Sequence, residues 1–158
     1  MPVQSSVEVA GVKEVIKALR AVDPELKKEF VRQAKSAVAP MVASARAAYP
    51  QMPLSGMGRN WQQGGRQKFP WELSKVRSGV KVKTSTRRDK NSVVYVSQGT
   101  PAGAIFEVAT TGNRFGANLR ATNSRVLWPA YDRHASEINQ GIEKIVREAE
   151  KVVQGMVR

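Results

Sequence analysis

The feature that most constrains this chain is an apolar stripe near its C-terminal end. Ile138, Ile142, Ile145, Val146, Ala149, Val152 and Val153 recur at helical spacing with charged residues between them. A long helix that is apolar on one side must lay that side on another element. Two segments at the other end of the chain offer matching stripes. In GVKEVIKALRAV the apolar positions are Val12, Val15, Ile16, Leu19 and Val22. After Asp23-Pro24, a cap residue followed by a proline suited to the first helical turn, they are Leu26, Phe30, Val31, Ala34, Val38, Met41, Val42 and Ala45. Pro40 lies inside this second pattern and predicts a kink there, with the helix ending near Tyr49-Pro50. The many alanines between 34 and 48 predict close approach of another element.

The middle of the chain reads differently. The stretch YPQMPLSGMGRNWQQGGRQKFPWELSK shows neither helical nor strand period and predicts a long irregular loop at about 51–77. A short strand is expected around residues 7–9. Further strands follow in GVKVKTS, where Val80 and Val82 alternate with Lys81 and Lys83, and in SVVYVSQ, which pairs back across the charged turn TRRDKN. The apolar run AIFEVAT reads as one more strand. Alternation then places Ile105, Glu107 and Ala109 on one face and Phe106 and Val108 on the other, toward the helices. Glu107 is thereby expected on the open side of the sheet, either exposed or paired with an arginine. The fold class that follows is α+β. An antiparallel sheet of about four strands is covered by two N-terminal helices and one long C-terminal helix, in a single domain over residues 1–158.

Charge is unevenly placed. The chain has 26 basic and 13 acidic residues in 158, a net of +13. Residues 51–128 hold 13 basic and 3 acidic residues, and so carry +10 of that excess. A basic region of this kind is suited to polyanions or to an acidic partner. Arg59, Arg66, Lys68, Lys75 and Arg77 are interleaved there with Trp61, Phe69 and Trp71. Cations beside stacking surfaces serve single-stranded nucleic acid, and equally serve as anchors in a protein interface.

Motifs for catalysis are lacking. His134 is the sole histidine and there is no cysteine, which argues against a zinc site. No GxSxG elbow singles out a serine for a triad. The glycines of SGMGRNW miss both the dinucleotide fingerprint and the P-loop ending. Glu72, Asp89 and Glu107, the acidic residues of the middle region, lie in very different contexts. The expectation is a protein that is not an enzyme and needs no cofactor or metal. No apolar run of about 18 residues appears, so no membrane span is expected. MPVQSSVEV has neither the basic nor the apolar region of a signal peptide, which suits a cytoplasmic origin.

Three segments together resemble the small neck proteins of long-tailed bacteriophages. They are the helix pair GVKEVIKALRAV through KSAVAPMVASARAAYP, the run AIFEVATTG, and LWPAYDRHASEINQGIEKIVREAEKVV. The order and spacing of the three carry the likeness. Departures are the longer, aromatic-rich segment at 50–78 and Glu107-Val108-Ala109 in place of the commoner Glu-Phe-Gly. The resemblance implies a structural virion protein, assembled in the host cytoplasm and located in the tail neck. It would form a six-fold ring around the DNA channel that terminates or completes the tail tube and joins it to the head connector. Expected partners are other copies of the chain, the tail tube protein, head-closure or connector proteins, and passing DNA through non-specific contact. Arg59, Trp61, Phe69, Trp71, Glu107, Arg114 and Phe115 are then the expected partner contacts. Lys81, Lys83, Arg87, Arg88 and Lys90 are the cations expected to face the lumen. The alternative reading is a stand-alone basic module that binds nucleic acid without sequence preference.

Overall fold

The computed structural model describes residues 4–6, 17, 19, 23–53, 62–63, 66–67, 69–84, 94–109 and 124–156. Among the described residues, five bounded helices and an antiparallel sheet make a mixed α+β fold.

Helix α1 (Pro24–Ala37) starts where Asp23-Pro24 predicted, with the Asp23 carboxylate accepting from the Glu25 amide at 2.8 Å. The pattern breaks at Val38, and α2 (Ala39–Ala48) resumes with Pro40 in its first turn. Proline cannot donate to the carbonyl four residues back, and its ring crowds that carbonyl, so the expected kink is a full break. Tyr49 leaves α2 in an extended conformation (φ −69°, ψ 127°), as a residue before proline prefers. The expected earlier helix, residues 12–22, lies almost wholly outside the described residues. Lys17 and Leu19 are helical, and Leu19 is buried.

Helix α5 (Leu127–Met156) has 30 residues and so is about 45 Å long. Its Ile138, Ile142 and Val146 are buried in the core, with Ile145, Ala149 and Val153 packed at its margin. Arg133 donates to the Ser44 hydroxyl at 3.1 Å, and a methyl group added at Gly141 would lie 3.3 Å from the Ala37 side chain. Ile145, Ala149 and Val152 line a groove with Leu26, Phe30 and Gln33. As α5 advances, its partners therefore run backward through α2 and then α1, an antiparallel layer. Small residues, notably the buried Ala34 and Ala45, let the axes approach closely.

The hairpin forms as predicted. Strands β4 (Val80–Thr84) and β5 (Val94–Gln98) pair antiparallel, with Val80 opposite Gln98 and Val82 opposite Val96. The turn between them lies outside the described residues. Strand β1 (Gln4–Ser6) adds to the other side of β5, giving the order β1-β5-β4. The strand expected at residues 7–9 lies outside the described residues. A separate two-residue ladder joins β2 (Gln62–Gln63) to β3 (Arg66–Gln67).

Three expectations are corrected. The sheet has two full strands and a three-residue edge strand, not about four strands. Residues 104–108 of the run AIFEVAT are helical: they belong to α4 (Pro101–Val108), whose Thr100 hydroxyl accepts from the Gly103 amide at 3.2 Å. Thr100-Pro101 is a helix start, and a short apolar run cannot by its own period separate helix from strand. The irregular stretch also ends early, because Leu73–Gly79 form helix α3, held by the fully buried Val76.

Candidate functional site

Helix α4 turns Glu107 inward. Its side chain is fully buried, and every described polar group that meets it is a donor. The Tyr49 hydroxyl donates to Oε1, while the backbone amides of Val126 and Leu127 donate to Oε2 at 3.0 and 3.2 Å. Those amides open α5, where amides lack partners within the helix and the helix dipole favours an anion. The Ser124 hydroxyl takes the next amide, that of Trp128, at 2.7 Å. A carboxylate on one helix thus caps another. The placement expected for Glu107, on the open face of a strand and either exposed or paired with an arginine, is corrected. With no exposed surface within the chain, its carboxylate has nothing to offer a partner.

The same segments are tied a second time through the backbone. Arg125 donates its amide to the Glu107 carbonyl at 3.1 Å and its Nε to the Ala109 carbonyl at 2.7 Å. Its guanidinium sits 5.8 Å from the centre of the Phe106 ring, a cation–π distance.

Gln98 extends the network from the sheet. Its Nε2 donates to the Tyr49 hydroxyl at 3.0 Å and to the Val76 carbonyl at 2.9 Å. Its Oε1 accepts from the Thr100 amide and hydroxyl, each at 2.9 Å. Both hydrogens and both lone pairs of the amide are therefore used, the condition for burying it without penalty. Space for it comes from two glycines: a Cβ on Gly79 would lie 2.1 Å from Gln98 Oε1, and one on Gly103 would lie 2.5 Å from Gln98 Cδ. Burial, and after it the Glu107 carboxylate, pushes the Tyr49 hydroxyl well above the usual tyrosine range.

Around this polar centre the aromatics close in. Trp71 stands 5.2 Å and Tyr49 6.0 Å from Phe106 by ring centres, both tilted. Phe69 and Trp71, expected as partner anchors, are half-buried and packed against the core of their own chain. Lys81 and Lys83 are exposed on β4. Arg59, Trp61, Arg114, Phe115, Arg87, Arg88 and Lys90 lie outside the described residues. The structure thus joins Glu107 to Trp71 through Phe106 and sets Lys81 and Lys83 apart, on the sheet.

Sequence reasoning missed Tyr49, Gln98 and Ser124. A buried glutamine inside a strand carries no local signal. Ser124, just before the apolar Val126-Leu127, is the kind of residue that caps a helix and was legible as such.

His134 Nδ1 lies 3.4 Å from Glu137 Oε2 on the surface of α5. Among the described residues no group of three or more His, Cys, Asp or Glu side chains is placed to hold a metal ion. None of their helices is long and apolar enough to cross a membrane. No family model, curated relative or solved structure matches this chain.

Proposed function

We propose that this chain is a structural virion protein that forms a ring at the head–tail junction, terminating or completing the tail tube and joining it to the head connector. The observation that carries the reading is the packing of α1, α2 and α5. The described parts of two of the segments on which the neck-protein resemblance rests, α1 with α2 and α5, pack together as one antiparallel layer. Its remaining segment, AIFEVATTG, begins as a helix here, so it adds nothing to the resemblance as a strand.

Charge placement also supports the reading. The outer surfaces of α1 and α5 mix both signs in short-range pairs such as Lys28–Glu25, Arg32–Glu29 and Arg147–Glu143. Strand β4 carries lysines alone. Two exposed lysines with no acid beside them on the strand suit a contact with DNA or with an acidic neighbouring ring.

Sedimentation and native mass measurement of the purified protein, with images of particles, test the proposal. The expected result is a closed ring, six-fold in symmetry, and presence in the virion neck. A strictly monomeric protein absent from virions overturns it. The exposed Lys81 and Lys83 favour one other reading, a free-standing basic module. For that reading, DNA binding by the monomer would be tight, sequence-independent and steeply salt-dependent.

A further inference from the structure

The geometry points to the outer edge of β4 as a docking strand for an extended acidic segment of a partner protein, and we propose that role for it. Antiparallel pairs alternate between those that exchange backbone hydrogen bonds and those that do not. The Gly99 amide donates to the Gly79 carbonyl at 2.8 Å, so Gly79 and Gly99 are a bonded pair. With the observed register, Lys81/Ser97 and Lys83/Tyr95 are bonded pairs too. Val80, Val82 and Thr84 therefore aim their amides and carbonyls away from β5. The Val80 carbonyl confirms this parity, because Arg46 reaches it from α2 at 2.8 Å. Beyond that capped position, Val82 and Thr84 present their backbone groups at an edge where no described strand pairs. Such an edge is a template for strand addition.

The lysines select the occupant. Lys81 and Lys83 are exposed and two residues apart, so both flank the edge on one face. No exposed acidic side chain lies on α2, α3, α4, β4 or β5; the nearby Glu72 is held by Lys75 at 2.8 Å. A second copy of β4 would set lysine against lysine across the new pair, and like charges directly opposite are destabilising. Strand β1, Gln-Ser-Ser, offers no charge at all. A partner segment with glutamates or aspartates at alternate positions would meet both lysines while completing the backbone ladder. This proposal stands whether or not the chain forms a ring.

The probe is an acetylated and amidated peptide of alternating valine and glutamate, titrated into the full chain and followed through backbone amide resonances. Binding is expected to shift Val82 and Thr84 most. Lys81→Glu with Lys83→Glu should weaken it by about tenfold or more, and so should Val82→Pro, which removes an outward-facing amide along with the half-buried valine side chain. Val82→Ala should leave affinity within about threefold. A version of the peptide N-methylated on its pairing edge should fail to bind the unaltered protein, which keeps the test sharp if Val82→Pro unfolds. No binding of the acidic peptide, or equal binding by the N-methylated peptide, overturns the proposal. So does a short DNA duplex that binds through the lysines while the peptide does not.

Discussion

Replacing Glu107 by glutamine tests the capping network directly. The carboxylate accepts from the Tyr49 hydroxyl and from two backbone amides, all buried. A glutamine keeps one acceptor oxygen and adds two hydrogens. If that oxygen stays on the Val126 and Leu127 amides, the new NH2 faces the Tyr49 hydroxyl, whose proton loses its acceptor. An unmet buried donor costs about 1–3 kcal/mol. Loss of the negative charge at the start of α5 adds roughly 0.3–2 kcal/mol. The expected destabilisation is about 2–4 kcal/mol, or roughly 5–15 °C in Tm for a chain of this size. Urea and thermal unfolding followed by circular dichroism would measure it. A double-mutant cycle with Tyr49→Phe adds a second handle, because removing the hydroxyl also removes the donor that glutamine strands. In that background Glu107→Gln should cost about 1–2 kcal/mol less. A Glu107→Gln protein within about 0.5 kcal/mol of the parent, or a cycle with no coupling, would refute the assignment of Glu107 as the cap of α5.

Three further expectations follow from the same network. Gly103→Ala drives a methyl group into the Gln98 side chain and should lower stability by about 1–3 kcal/mol, read as a shift in urea midpoint at unchanged slope. Tyr49 stays protonated in the folded chain while an unfolded tyrosine ionises near ~pH 10, so above that pH the unfolded state binds fewer protons and stability falls as pH rises. The fall should approach 1.4 kcal/mol per pH unit from this residue and should be absent from Tyr49→Phe in parallel melts between about pH 8 and 11.5. Gln98→Leu should cost several kcal/mol, roughly 2–5, because it strands the Thr100 amide and hydroxyl, the Val76 carbonyl and a lone pair of Tyr49; unfolding by urea checks it.

Period and punctuation were enough for the helical layer and the hairpin. Asp23-Pro24 starts α1, Pro40 breaks it, and the spacing of Ile138, Ile142 and Val146 makes α5, since these signals act within a few residues of each other. The alternation of Val80 and Val82 with the lysines separated the two faces of β4 for the same reason. Glu107 was different. Read as part of a strand it belonged outside, yet Thr100 and Pro101 start a helix that turns it into the core. Whether a carboxylate can lie there depends on three groups far away along the chain: a tyrosine at the end of α2 and the first amides of α5. Local sequence determined the helices α1, α2 and α5 and which sides of them are apolar. Only the tertiary structure decided that a charge could be buried without a cation, because the donors that make this possible converge on it from separate elements when the chain is folded.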